Sequence, residues 1–411
     1  MRRIKINQNT KYYIIFIVLA LFAKNGYYLW GDNDYIIDGL LKYADIGLLL
    51  ALFFTLCVGM KYGFGFNSGR YDYFILGYIV LSIVSTFSAY MLFDQSLLRG
   101  LFAQRVQLFW FVSYFFIRRL LQLRKMNVES LIKILYVMAL IELSICTVQY
   151  LVGDNMFFLA VKSELRNYVR RYYFNVSFLI PISLFALYQL LHNRKNRILN
   201  GIIVVWTALL IAVFSQYRSV TVYYAIGCLI IVLFWNRSIF KRILLLTLAA
   251  IVAYLVLKDT SMFKMLLQAL RGGIFNDANM LVRNTAREHY FSELGKTAIT
   301  IITGRGYPSV SNYGAFSAAG FYNYMYFTDN GIFGFLYCYG LLGLVWYMFF
   351  WIKMIRDSWQ IRRYTSVYFA YLLYYVVGFI NDFSWFWSAN FIFIVMICFL
   401  EATYNEKKYL R

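Results

Sequence analysis

Twelve apolar stretches, joined mostly by loops too short to hold a domain, leave this chain few folds to choose from. They lie at roughly 12–30, 39–60, 71–91, 106–121, 131–152, 173–192, 198–214, 220–235, 243–257, 327–352, 364–381 and 385–401. A helix of about 20 residues crosses the hydrocarbon of a bilayer, and most of these stretches approach that length. Inside hydrocarbon every backbone N–H and C=O must be satisfied within the protein, which favours helices. The expected fold is therefore an all-α polytopic integral membrane protein with about 12 transmembrane helices in a single membrane domain, 1–411. One large external loop, 258–326, precedes the last three helices. Composition agrees, since 62% of residues are hydrophobic and 14% charged, at a mean hydropathy of +0.60. No small-residue cleavage site follows the first apolar run, so it reads as a first span and not a removed signal.

The net charge of +21 invites a nucleic-acid reading, but no basic stripe falls on a soluble surface. More than half of the 40 Lys and Arg lie in the tails and in alternate short loops. Basic residues favour the cytoplasmic side, so both termini are expected in the cytoplasm and the long loop outside. The five cysteines fall inside apolar stretches at no metal-binding spacing and read as core residues. With His192 and His289 the only histidines, a multi-histidine metal centre is excluded. No metal or cofactor is expected.

Two outer loops break the charge pattern. Lys162 to Arg171 is strongly basic, with Arg166, Arg170 and Arg171 on the side the rule disfavours. An interfacial helix meeting lipid phosphates accounts for it, as does a substrate-binding role. The turn Gln216-Tyr217-Arg218-Ser219 holds one arginine at the membrane surface, where it either snorkels to headgroups or serves the site. Lys24, Lys42, Asp45, Lys133 and Glu142 lie within or near spans, where charge is costly unless paired. They form no regular stripe of the sort a proton relay would show, which counts against a transporter.

Chemistry is expected in the long loop, the most charged insertion in an apolar chain, with Arg271, Asp277, Arg283, Arg287, Glu288, His289, Glu293 and Arg305. Residues 280–291 read as a helix, with Arg283 and Arg287 four apart and so on one face. Two planar guanidinium forks suit an anion with several oxygens such as a diphosphate, although a solvated face of Arg–Glu pairs has the same spacing. Gly304-Arg305-Gly306 permits a sharp turn or a close backbone approach, without the spacing of a dinucleotide or P-loop motif. The ring-rich run Asn312–Tyr326 suits either sugar stacking or an interfacial belt. Asp329 and Asn330 then open a run with Gly331, Gly334, Gly340 and Gly343, which allow close helix packing.

Taken together, this arrangement resembles the O-antigen polymerase (Wzy) and O-antigen ligase superfamily of bacterial polysaccharide assembly. The resemblance covers most of the chain as topology. Locally it rests on Gln216-Tyr217-Arg218-Ser219, the helix from Arg283 to Tyr290, Thr303-Gly304-Arg305-Gly306, and Asp329-Asn330 through Gly343. The ligase branch usually has a histidine before that asparagine. Asp329 stands here instead, which points toward polymerase.

The resemblance implies an inverting, metal-independent membrane glycosyltransferase. It would join polyprenyl-diphosphate-linked oligosaccharide units, as donor and acceptor, on the external face of the cytoplasmic membrane, to build capsule, exopolysaccharide or O-antigen. Asp329, with Glu288 second, is then the base, and Arg218 a further catalytic residue. Arg283, Arg287, Arg305, Arg166, Arg170, Arg171, His289 and Asn330 would bind substrate. Membrane lipids are implied partners, together with a chain-length regulator and a flippase. A ligase-type glycan transferase is the nearest alternative, and a lipid-linked oligosaccharide flippase or transporter is the non-enzymatic one. A membrane acyltransferase or a sensor is further off.

Overall fold

A computed structural model of the chain describes residues 9–31, 35–37, 41–153, 158–166, 169–192, 196–258, 260, 263, 264, 267, 278–380 and 390–408. Arg271 and Asp277 of the long loop, and much of the acidic 31–38 segment, lie outside the described residues.

The chain is mostly helical, and each apolar stretch of the sequence carries a helix. In order they are α1 (Thr10–Ala23), a short turn α2 (Asn25–Tyr28), α3 (Tyr43–Tyr62), α4 (Asp72–Phe93), α5 (Leu97–Ala103), α6 (Arg105–Gln122) and α7 (Val128–Val152). Next come α8 (Leu179–His192), α9 (Arg197–Leu209) with a π-turn at Leu210–Phe214, α10 (Arg218–Leu233) and α11 (Ile239–Leu257). Then follow α12 (Ala278–Leu294), α13 (Ala298–Thr303), α14 (Tyr313–Ala318), α15 (Gly331–Ile361), α16 (Val367–Phe379) and α17 (Asn390–Lys408). Two small antiparallel ladders join them, β1 (Tyr35–Ile37) with β2 (Leu41–Lys42), and β3 (Ser163–Arg166) with β4 (Val169–Tyr172).

Among the described residues six helical segments are long and apolar enough to cross a membrane: Asp45–Tyr62, Asp72–Phe93, Val128–Val152, Arg197–Phe214, Ile239–Leu257 and Phe327–Ile361. Four shorter apolar helices are α1, α8, α10 and α16. Much of the outer surface is apolar. Met60, Met91, Leu151, Ile198 and Phe240 are all exposed, and α11 has no buried residue at all. A surface of this kind suits hydrocarbon better than water.

Connections between helices gather at two ends. At one, Arg70 grips Asp357 in a two-pronged pair with a closest approach of 2.7 Å, and the Tyr188 hydroxyl donates to the Tyr364 carbonyl at 2.5 Å. Trp235 Nε1 donates to the Leu191 carbonyl there, and Arg118 pairs with Asp72 at 3.3 Å. At the other end Arg105 pairs with Asp45 at 2.7 Å, the Ala160 N–H donates to the Tyr28 carbonyl, and Arg171 donates to the Ser215 carbonyl. Residues 278–330 belong to this second end.

α15 is the element on which the site is built. It packs against α4, α12, α13, α16 and α17, in part through rings: Tyr347 stacks on Phe379 of α16 at 4.2 Å and Tyr339 meets Tyr78 of α4 at 6.0 Å. Its helix breaks at Gly340, where φ is +62°.

Candidate functional site

α12 forms where the spacing of the sequence predicts a helix, and it lies along the start of α15. Ala286 and Tyr290 are buried on its inner face. The Tyr290 hydroxyl donates to the Met325 carbonyl at 3.0 Å, and Tyr290 meets Tyr337 at 5.1 Å between ring centres. His289 donates through Nε2 to the Ala318 carbonyl at 2.8 Å, so this histidine pins α12 to α14. Its visible work is to fix the frame of the site.

Arg283 and Arg287 sit half-buried on one side of α12. The Arg287 guanidinium lies 4.8 Å over the Phe333 ring and donates to Asn284 Oδ1 at 3.2 Å. Burial, and then the charge of Arg283, push it below the usual arginine value. Two cations held this close favour an anion that both can reach. Glu288 is exposed and points about 160° around the helix from Tyr290, away from α15.

Asp329 belongs to a 3₁₀ turn, Phe327–Asn330, that opens α15 beside α12. It is exposed and lies within electrostatic reach of Arg283. Asn330 is buried and donates through Nδ2 to the Tyr326 carbonyl at 2.9 Å, while its Oδ1 meets no hydrogen-bond donor among the described residues. The structure therefore brings Arg283, Arg287, His289, Asp329 and Asn330 into one neighbourhood, and it turns Glu288 outward.

A second basic group forms around the β3–β4 ladder. The segment is a strand pair in register, Ser163 opposite Tyr172 and Glu164 opposite Arg171, in place of an interfacial helix. Arg171 pairs with Glu164 at 3.6 Å, donates to the Ser215 carbonyl at 2.9 Å and lies over the rings of Tyr173 and Tyr217. Arg170 donates to Ser163 Oγ at 3.0 Å. The side chain of Arg166 lies outside the described residues. Arg218 is half-buried at the first position of α10, next to the Tyr217 on which Arg171 rests. α10 runs antiparallel to α16, with Tyr223 beside Tyr374 and Phe234 beside Phe369. Phe379, at the far end of α16, backs onto Gly331. Arg218 thus shares the end of the bundle that holds Asp329.

Arg305 stands apart. It is buried and pairs with Glu293 at 2.8 Å, with its guanidinium 4.9 Å over the Phe93 ring. The flanking glycines carry the reason. A Cβ on Gly304 would meet the backbone of Cys338, Tyr339 and Gly340 at 2.6 Å, and one on Gly306 would meet Ser85 and Ala89 of α4 at 2.5 Å. The close approach that Gly304-Arg305-Gly306 permits is to the chain itself, at the break in α15.

Sequence reasoning missed the polar ties that hold this end together. Lys24 and Glu142 pair at 2.5 Å with both side chains 1% exposed, and Lys24 also donates to the Asn175 carbonyl. Buried Gln95 donates to the Tyr307 carbonyl at 2.9 Å and accepts from the Ser309 N–H at 2.8 Å. A charge inside an apolar run was the available signal for Lys24 and Glu142, whereas nothing in the sequence marks Gln95.

The chain matches no family model and no curated protein.

Proposed function

We propose that the chain is a polysaccharide repeat-unit polymerase of the inverting, metal-independent kind, acting on polyprenyl-diphosphate-linked oligosaccharides at the external face of the cytoplasmic membrane. In this reading the bundle makes twelve crossings with both termini cytoplasmic, and residues 258–326 form the external loop. The observation that carries it is the neighbourhood of Arg283, Arg287 and Asp329, two cations and a carboxylate at the mouth of a helix bundle. Asp329, in place of the histidine of the ligase branch, favours polymerase over ligase.

The chemistry follows from charge. A hydroxyl on the terminal sugar of the acceptor attacks the anomeric carbon of the donor glycan. The carbon–oxygen bond to the diphosphate breaks, and its electron pair leaves with the phosphate oxygen. Attack opposite the leaving group inverts the anomeric centre. Asp329 takes the hydroxyl proton, and Arg283 and Arg287 stabilise the charge that grows on the diphosphate. Arg218 and Arg171 lie at the same end and would meet the second diphosphate. Glu288, turned outward, is the weaker choice of base.

The test is reconstitution. The purified protein in liposomes, given lipid-linked repeat units extracted from the source cells together with a metal chelator, should yield a ladder of polymer. The new linkage should carry the opposite anomeric configuration to the donor. No product at any protein level, or product only when metal is restored, would overturn the reading.

A further inference from the structure

Between Arg305 and Asp329 the chain carries no charged residue, yet it presents its rings to the outside. Tyr313 and Tyr324 are each 74% exposed, and Tyr322 is also exposed. Tyr313 and Tyr322 belong to a connected strip of rings, and Tyr324 follows two residues after Tyr322. Tyr313 meets Tyr322 at 5.3 Å, Tyr322 meets Phe316 at 5.4 Å, and Phe316 stacks on Phe321 at 4.2 Å. Phe321 then reaches Phe327 at 5.4 Å, and Phe327 is two residues from Asp329. The strip runs from the proposed chemistry outward.

Its base is rigid. Asn312 caps α14 through its Oδ1, which accepts from the Ala315 N–H at 2.8 Å, and its Nδ2 donates to the Phe93 carbonyl at the end of α4. Gln95 clamps the chain on either side of Pro308. Tyr324 has φ +59°, a left-handed conformation that costs a non-glycine residue about 1 kcal/mol or more. Tyr324 closes the turn Phe321–Asn323, its N–H donating to the Phe321 carbonyl at 3.1 Å, and that turn sets its side chain out into the open. Strain of this kind gathers at ligand-binding positions.

We infer that Tyr313, Tyr322 and Tyr324 form a stacking platform for a neutral stretch of glycan, the part of the chain beyond the sugars undergoing reaction. The inference rests on the polymerase reading for which end of the glycan approaches. A pyranose ring has an apolar C–H face and a hydroxyl rim, and a tyrosine offers the matching flat face with a polar edge. Tyrosine, serine, glycine and asparagine dominate Ser309–Asn323, the mixture that gives large, rigid contact area with adaptable hydrogen bonds. The stretch has no Lys or Arg to pair with lipid phosphates, which favours a neutral ligand over anionic headgroups.

The probe is the set of lipid-free repeat-unit oligosaccharides released by mild acid from the lipid extract of the source cells. Wild-type protein in detergent should bind them, and the triple variant Tyr313→Ala, Tyr322→Ala, Tyr324→Ala should bind about tenfold more weakly or worse. These three rings are exposed, so the variant should keep its melting temperature; Tyr324→Ala alone, expected to lose part of the affinity, guards against a folding artefact. A nitroxide on Tyr324→Cys, with the five native cysteines replaced, should collide with a water-soluble nickel quencher more than with oxygen. Equal binding by the triple variant, or a nitroxide that favours oxygen and so sits in lipid, overturns the platform. Wild-type binding without polymer from lipid-linked units would leave the platform standing and remove the polymerase.

Discussion

Arg305 and Glu293 approach to 2.8 Å with their side chains only 10% and 11% exposed, which makes this pair a clasp between α12 and the turn after α13. Lys296 also pairs with Glu293, so one carboxylate answers two cations. Removing Arg305 leaves a largely buried carboxylate short of its main partner, a loss of roughly 3 kcal/mol. Arg305→Ala should therefore lower the melting temperature in detergent. Adding Glu293→Ala should cost less than the sum of the two single changes. An Arg305→Ala protein that melts normally and fails only to bind substrate would place Arg305 in the site instead.

The break in α15 gives a sharper stability test. Gly340 and Gly304 face each other so closely that a Cβ on Gly340 would lie 2.4 Å from the nitrogen of Gly304. Both also hold positive φ. Gly304→Ala and Gly340→Ala should each destabilise by about 3 kcal/mol or more and cut the yield of folded protein. Melting of the purified variants checks this, and unchanged melting would mean that the turn does not seat on α15.

The buried pair of Lys24 and Glu142 should behave asymmetrically. Glu142→Gln alone leaves a buried ammonium without its counter-charge and should cost about 3–5 kcal/mol. Replacing both, as in Lys24→Met with Glu142→Met, should restore most of that loss, because an apolar pair is at home among Tyr28 and Phe178. The melting temperatures of the three proteins decide it. A double variant no better than the single one would mean that the charges themselves are needed.

The helices were legible in the sequence because apolar runs are local. α12 was legible as well, since the spacing of Ala286 and Tyr290 is helical whatever the helix packs on. Partners were not legible. Gly304 reads as a turn residue, but that the turn lands on Gly340, and its neighbour Gly306 on Ala89, depends on contacts far along the chain. For the same reason Lys24 and Glu142, 118 residues apart, could be seen as two costly charges and not as one pair. Of the two readings open for the basic segment at 162–171, the interfacial helix does not form, because a charge pattern alone says nothing about strand pairing. Cross-strand pairing of Glu164 with Arg171 decided the outcome.

The arginine face of α12 should show its purpose in rates. Arg283→Ala and Arg287→Ala should each remove a charge-assisted contact of about 1.5–3 kcal/mol. That is about a 10- to 150-fold slower coupling where the contact serves the rate-limiting step. The double variant should fall short of the product of the two losses if, as proposed, both act on one diphosphate. Coupling rates with lipid-linked repeat units measure this. Full multiplicativity would assign the arginines to separate ligands.

The most direct test compares two carboxylates in one assay, initial coupling of lipid-linked repeat units by the reconstituted protein. Asp329 lies beside α12 within electrostatic reach of Arg283, and Glu288 is exposed on the other side of that helix. General-base catalysis is worth about 10²- to 10⁴-fold, so Asp329→Asn should slow coupling by about 100-fold or more at normal folded yield. Glu288→Gln should stay within a few-fold of wild type. An Asp329→Asn enzyme that couples repeat units at the wild-type rate would contradict the account.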